Sequence, residues 1–133
     1  MEEKNNENNN EDFEDLQDLY QTIIDFISDL SLIFTSEDEK TDLIIIEFFY
    51  KKIDKNKIRK YIIKHVLPHE IQIKNREILF FDENCQHIFA GLPANRVMHY
   101  RNVILKEKRI SKPYMDTIWE YLDTMIELTK PYL

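Results

Sequence analysis

Three of the four histidines and the only cysteine are the residues whose types could bind a metal ion. His65 and His69 lie four positions apart, and Cys85 and His87 follow two positions apart. Three imidazoles and a thiolate are donors that zinc accepts. Structural zinc sites, however, usually carry paired cysteines, and helix positions i and i+2 point to different faces. The sequence therefore predicts no metal and no cofactor, with helix-end or surface histidines and a buried cysteine.

Cys85 is also the obvious nucleophile for thiol chemistry, with a histidine as its base. The many carboxylates follow helical periods, and solvation accounts for them there. A phosphate-cradling loop needs several glycines, whereas the chain has one. No segment brings a nucleophile, a base and an oxyanion donor together. We therefore predict no catalytic residues and no enzyme, and a thiol- or metal-dependent enzyme is the third of three hypotheses.

Charge is segregated along the chain. Residues 1–50 carry 15 acidic and 2 basic side chains, residues 51–113 carry 6 and 15, and residues 114–133 carry 4 and 1. The densest cations of the middle block are Lys51, Lys52, Lys55, Lys57, Arg59, Lys60 and Lys64. Lys57, Lys60 and Lys64 are spaced three and four apart, which predicts one outer helix face with Arg59 beside it. Such a face can steer an anionic partner.

Three interpretations of this basic surface compete. It could bind an acidic protein, bind nucleic acid, or pair with acidic residues of the chain itself. Phosphate binding would be extended by Arg96, Arg101, Lys106, Lys108 and Arg109. Tyr61 or Tyr100 would be available for stacking on bases. The net charge of −7 is opposite to the usual footprint of a nucleic-acid-binding protein. A solvated lysine face, partly neutralised by the acidic residues of the first helix, is the third interpretation.

Five or six helices are predicted to position these residues. The first carries a heptad-like apolar seam, formed by Phe13, Leu16, Tyr20, Ile23, Ile27, Leu30 and Phe34. Acidic residues at 11, 15, 18, 25 and 29 follow the same period on another face. Further apolar residues widen the seam, which favours packing inside a bundle over an isolated coiled coil.

Capping signals mark the helices that follow. Ser36 and Glu39 form a capping box for a second helix, whose middle, Leu43 to Tyr50, is apolar on all sides except at Glu47. We therefore expect it to be the most buried helix, although Ile-Ile-Ile and Phe-Phe-Tyr also suit a strand. Asp54 is expected to cap a third helix that reaches Leu67.

The remaining segments are less regular. Residues 70–81 suit either a helix or a short hairpin, and the missing turn glycine favours the helix. Gly91 is predicted to end a short helix, and Pro93 to lie in the first turn of the next. Ser111 is expected to cap the final helix, in which Trp119 fills core volume.

Composition sets the domain organisation. Residues 1–12 contain no apolar residue after Met1, which predicts a disordered acidic, Asn-rich tail, and residues 13–133 form a single helical domain. The fold class is therefore an all-α compact bundle. No run resembles a signal peptide or a membrane span. With a single cysteine, this predicts an intracellular protein of the cytoplasm or nucleus.

The C-terminal half resembles a group of viral proteins. The residues that carry this resemblance are His65, Pro68-His69, Arg76, Phe80-Phe81, Ile88-Phe89-Ala90-Gly91-Leu92-Pro93 and Thr117-Ile118-Trp119-Glu120-Tyr121-Leu122. They are similar to those of small uncharacterised helical proteins encoded by large DNA viruses of protists. The resemblance implies a viral setting, such as a viral factory or virion, and implies no active site.

Three functional hypotheses follow from these patterns. The first is a non-enzymatic helical interaction or assembly protein with a basic central surface, which binds a protein partner or associates with itself. The second is a nucleic-acid or nucleoprotein accessory factor that uses the basic middle segment. The third is the thiol- or metal-dependent enzyme. Binding to a membrane is not expected.

Overall fold

The computed structural model describes the backbone of residues 2–107 and 109–133, and the side chains of this part from Glu11 onward. Within it lie seven α-helices and no strand. Their bounds are α1 Glu2–Ile33, α2 Glu37–Lys52, α3 Lys55–His65, α4 Glu70–Lys74, α5 Phe80–Ile88, α6 Ala94–Asn102 and α7 Lys112–Thr129. Six of these helices have nine or more residues, so the predicted compact all-α bundle of five or six helices is confirmed, with the five-residue α4 in addition.

Helix α1 is the longest helix and contacts three others. Its 32 residues span about 48 Å, and it packs against α2, α3 and α7. The predicted seam is buried or half-buried from Leu16 to Phe34. Its first member, Phe13, is 65% exposed and lies outside the core. None of the helices that the structure describes has the length and apolar content needed to cross a bilayer.

The N-terminal segment was predicted to be a disordered tail over residues 1–12. The backbone of α1 begins at Glu2. Met1 and the side chains of residues 1–10 lie outside the described residues, so the tail stays a prediction there. The carboxylate of Asp12 forms an ion pair with Arg59 of α3, so the folded domain includes residue 12.

Helix α2 begins as predicted but buries a different face. The Ser36 hydroxyl accepts a 3.2 Å hydrogen bond from the Glu39 N–H, and the Glu39 carboxylate accepts one from the Ser36 N–H, which confirms the capping box. The prediction that α2 is the most buried helix is wrong. Ile44, Ile45 and Phe48 are 66%, 42% and 58% exposed. Glu39 of the same helix is buried instead, and its carboxylate lies 2.8 Å from the ring of His99.

Helices α3 to α5 resolve the ambiguous middle of the chain. Asp54 caps α3 by accepting a 2.8 Å hydrogen bond from the Asn56 N–H. The helix ends at His65, and a 3-10 turn that contains Pro68 leads into α4. Residues 70–74 and 80–88 are helical, so the hairpin alternative is wrong. Arg76 reverses the chain between them with φ at +53°, and its guanidinium is held by Asp123 of α7 at 2.7 and 3.0 Å.

Gly91 and Pro93 lie between α5 and α6, where the last part of the chain begins. Gly91 adopts φ of +93° after α5, and Pro93 occupies the cap position of α6 rather than its first turn. Helix α6 continues into a π-helical turn over residues 103–107. Ser111 lies at the cap position of α7 without a side-chain hydrogen bond. Trp119 is buried and packs on Phe81 with ring centroids 4.9 Å apart, which confirms its core role.

Candidate functional site

The predicted basic surface is divided by the fold into engaged and exposed cations. Arg59 was expected to join the surface, and that role stays a prediction. Its guanidinium pairs with Asp12 and lies 4.1 Å from the ring centroid of Tyr132. The ammonium of Lys55 contacts Gln17 of α1. Both cations therefore link α3 to α1, and Arg59 also links it to the C-terminal segment.

The two cations at the end of α2 are engaged within their own helix. Lys51 pairs with Glu47 at 3.1 Å, one turn earlier. Lys52 places its Nζ atom 4.1 Å from the ring centroid of Phe48. Both side chains are exposed, so they remain open to a partner.

Lys57, Lys60 and Lys64 are the remaining three cations of the predicted basic surface. All three lie exposed along α3, as their spacing predicts. None forms an ion pair with an acidic side chain of residues 11–107 or 109–133. We call these three residues the lysine stripe. From Glu11 onward, no acidic side chain of α1 pairs with the stripe, and Asp15 and Asp29 accept hydrogen bonds from tyrosines near the C-terminus instead.

The arginines proposed to extend the surface are engaged elsewhere. Arg96 binds Asp42, Arg101 binds Asp82, and Arg109 lies 2.6 Å from Glu107. Lys106 is exposed, and Lys108 lies outside the described residues. The three arginines are thus paired with acidic neighbours, and their role in extending the basic surface stays a prediction.

The two tyrosines considered for base stacking are also engaged. Tyr61 is half-buried, and its hydroxyl lies 3.1 Å from Nδ1 of His87. Tyr100 is fully buried, and its ring stacks on Phe89 with centroids 4.3 Å apart. The ring of Tyr100 is therefore unavailable to a nucleotide, and the ring of Tyr61 is only partly exposed.

The candidate metal donors are drawn together only in part. The rings of His65 and His87 stack with centroids 4.0 Å apart and an angle of 16° between planes. His69 packs instead on Phe80. Burial lowers the pKa of both stacked histidines. The charge of Lys64 lowers the pKa of His65 further, and the imidazoles of His65 and His69 lower the pKa of His87 further. Among the described residues no group of three His, Cys, Asp or Glu side chains is placed to hold a metal ion.

Cys85 faces the core, whereas His87 lies half-buried at its edge. The two residues are two positions apart on α5, so their side chains leave the helix in different directions. Burial raises the pKa of the Cys85 thiol to about 12. The thiol is therefore protonated at neutral pH, whereas nucleophilic attack requires the thiolate.

Sequence reasoning missed a buried polar cluster between α2 and α6. The Oδ2 atom of Asp42 accepts hydrogen bonds from Arg96 at 2.7 and 3.0 Å and from the hydroxyl of Tyr100 at 2.6 Å. Burial and this hydrogen bond raise the pKa of Tyr100. The signal that could have found it is the acidic pair Glu39 and Asp42, three residues apart and therefore on one side of α2.

Glu39 is the second carboxylate of this cluster. Its Oε2 atom lies 2.8 Å from Nε2 of His99 and 3.7 Å from Arg109. Burial opposes its ionisation, but the hydrogen bonds from His99 and Ser36 prevail and lower its pKa. Both carboxylates of the cluster therefore have hydrogen-bond partners, which suits a structural contact between helices.

The outward side of α2 was also missed. It consists of Glu37, Thr41, Ile44, Ile45, Phe48 and Lys52, all exposed. We call these six residues the outer face of α2. The face has an apolar centre, an acidic end and a basic end, and it lies opposite the buried residues Leu43 and Ile46. An exposed apolar cluster with a polar rim is typical of an interaction surface.

Comparisons with family models, curated proteins and solved structures found no match to this chain. The resemblance to proteins of large DNA viruses therefore stays a prediction.

Proposed function

We propose that this protein is a non-catalytic helical interaction protein that binds an acidic protein surface through the lysine stripe. The observation that carries the proposal is that the cations of the basic surface fall into two groups. Those around the stripe are engaged with the protein itself, whereas Lys57, Lys60 and Lys64 are exposed and unpaired within the described part. Three ammonium groups on one helix face concentrate positive potential in an otherwise acidic protein.

An acidic protein is favoured over nucleic acid for two reasons. The net charge of −7 repels a polyphosphate from the rest of the surface, whereas a compact acidic patch need only meet the stripe. Single-stranded binding also relies on exposed aromatic rings, whereas Tyr100 is fully buried and Tyr61 is half-buried with its hydroxyl against His87. A nucleic-acid accessory role remains the alternative outcome of the test below.

A thiol enzyme is disfavoured by the surroundings of Cys85. Its side chain is 1% exposed and its pKa is raised, whereas reactive cysteines lie in accessible sites that favour the thiolate. We also infer a reducing intracellular compartment, the cytoplasm or nucleus, because a lone buried thiol is stable there. A viral factory or virion is the setting that the sequence resemblance supports.

The test measures binding of fluorescent anionic probes by anisotropy. A 20-residue glutamate peptide and a 20-nucleotide single-stranded DNA are titrated with the wild type at low and high salt. The variant reverses the stripe as Lys57→Glu, Lys60→Glu and Lys64→Glu. The matched control reverses Lys40, Lys106 and Lys112, which are also exposed, so both variants carry the same net charge.

We expect the wild type to bind the peptide at low salt, the stripe variant to lose binding, and the control to keep most of it. Equal losses in the two variants would overturn the proposal, because binding would then follow net charge alone. Tighter binding of DNA than of the peptide, with a salt slope reduced in the stripe variant, would select the nucleic-acid alternative.

A further inference from the structure

We propose that the outer face of α2 binds a second copy of this chain, with the two α2 helices packed antiparallel about a two-fold axis. This inference does not rest on the lysine stripe, which lies on α3. It rests on the pattern of apolar and charged side chains along a helix face that no described element covers. Ile44, Ile45 and Phe48 together form its apolar centre.

The spacing of the face is that of a helix-packing seam. Its residues follow one another at intervals of four, three, one, three and four, so they form a single stripe along the helix axis. Seams with alternating steps of three and four bury side chains against a partner helix. On α1 such a seam is covered by the rest of the bundle from Leu16 onward, whereas on α2 the seam faces solvent.

The seam is symmetric about its own midpoint. Helix α2 has 16 residues, so its centre falls between Ile44 and Ile45. A two-fold axis at that point brings Ile44 close to its own copy, and likewise Ile45. Thr41 of one copy then lies level with Phe48 of the other. A two-fold interface requires this kind of self-complementary surface.

Charge fixes the direction of the two helices. The first turn of α2 carries Glu37 and Asp38, and its last turn carries Lys51 and Lys52. In the antiparallel arrangement, the acidic end of each helix lies against the basic end of the other. A parallel arrangement would oppose like charges, which is unfavourable at close range. The helix dipoles favour the antiparallel direction as well.

A second copy fits this face better than an unrelated partner, because α2 itself carries both the acidic end and the basic end that would pair across the interface. The ammonium of Lys52 covers the ring of Phe48 at 4.1 Å, and this cation–π contact strengthens when the ring loses water on dimerisation. One helix per subunit gives an interface at the small end of the specific range, about 1,200 Å² in total or less. The dimer is therefore expected to dissociate on dilution.

The experiment is sedimentation equilibrium of the full chain over a wide concentration range. The mass is expected to rise from 16.2 kDa toward twice that value with concentration. Two charge variants test the geometry. In the first, Glu37→Lys and Asp38→Lys make both ends of α2 basic, and in the second, Lys51→Glu and Lys52→Glu make both ends acidic. Each variant alone is expected to dimerise at least about tenfold more weakly than the wild type.

Mixing the two variants gives the decisive readout. Each basic end then meets an acidic end, so a 1:1 heterodimer is expected to form at concentrations where each variant alone is monomeric. A third variant, Ile44→Ser with Phe48→Ser, removes the apolar centre and is expected to be monomeric. Circular dichroism verifies that every variant keeps its helical fold.

Three results would overturn the proposal. These are a wild type that stays monomeric throughout, a serine variant that dimerises like the wild type, and charge variants that fail to pair on mixing. The Lys57, Lys60 and Lys64 reversal serves as the control, because it should leave dimerisation unchanged while it abolishes binding of the acidic probe. Failure of the dimer and failure of the proposed function are thereby separated.

Discussion

The hydroxyl of Tyr100 donates a 2.6 Å hydrogen bond to the buried carboxylate of Asp42, which lies 58 positions earlier in the chain. The same oxygen accepts two hydrogen bonds from Arg96. This contact decides the orientation of α2, because a helix with apolar residues on all sides has no single preferred face. These hydrogen bonds place Asp42 on the buried side of α2, so Ile44 and Phe48 lie on its exposed side.

Asp42→Ala should therefore destabilise the fold. Without the carboxylate, the fully buried hydroxyl of Tyr100 and the partly buried guanidinium of Arg96 lose their partner. Breaking such a pair typically costs about 3 kcal/mol or more. Urea denaturation measures the change in the free energy of unfolding. Glu47→Ala is the control on the same helix, because its 3.1 Å pair with Lys51 is exposed and contributes under about 0.5 kcal/mol. Similar losses in the two variants would contradict the structural role of Asp42.

Reversing the lysine stripe should leave the isolated protein as stable as the wild type. Lys57, Lys60 and Lys64 meet no acidic partner in the described part of the chain, and exposed substitutions usually change stability by about 0.5 kcal/mol or less. Arg59→Ala should lower stability measurably, because Arg59 joins Asp12 and the ring of Tyr132. Thermal melts at low and high salt check both variants. A large drop on reversal of the stripe would show that it stabilises the fold through internal ion pairs.

Stability should fall as pH drops below about 6.5, the ordinary histidine pKa. Folding lowers the pKa of His65 and His87, because burial and neighbouring cations disfavour the charged rings. The unfolded chain then binds more protons than the folded chain between the lowered pKa and 6.5, so protonation favours unfolding in that window. Glu39 acts in a lower window, because its lowered pKa contributes stability that is lost only below about 4.5.

Melting temperatures from pH 7 to pH 5 test the histidine pair. The double variant His65→Gln with His87→Gln should show a flatter dependence on pH than the wild type over this range. An unchanged slope would place the pH dependence in other groups.

Gly91→Ala should cost about 2 kcal/mol of stability. Gly91 has φ of +93°, where an L side chain is strained, and an added Cβ would lie 3.1 Å from Cβ and Cγ of Phe49. Asn95→Ala is a suitable control, because Asn95 is exposed on the helix that follows. Chemical denaturation compares the two, and equal stability of both variants would contradict the strain.

Local signals in the sequence were sufficient for the starts of α2 and α3. The capping box of Ser36 and Glu39 involves atoms three residues apart, and the Asp54 cap involves atoms two residues apart, so nothing distant could override them. The seam of α1 was also predictable, because its apolar side is wide and its other sides are polar. Both kinds of signal depend only on the segment itself.

The candidate sites depended on contacts between distant segments, which one sequence does not reveal. Arg59 looked like a member of the basic surface by its position on α3, yet its partner Asp12 lies 47 residues earlier. The outer face of α2 was predicted to be buried, since apolar composition marks a helix for burial without stating which side is covered. The lysine stripe was located correctly because exposure of charged residues at helical spacing is a local property.

Helix α7 completes the covering of α1, with Tyr121 donating a 2.5 Å hydrogen bond to Asp29 and Tyr132 donating one to Asp15. Helix α1 leaves the ribosome before α7, so the part of its apolar side that α7 covers stays exposed until α7 has been synthesised. Chaperones that hold exposed apolar segments would have access to it throughout that interval. A premature stop codon before α7 would leave the same side permanently bare, and the product would be a substrate for degradation rather than a shorter working protein.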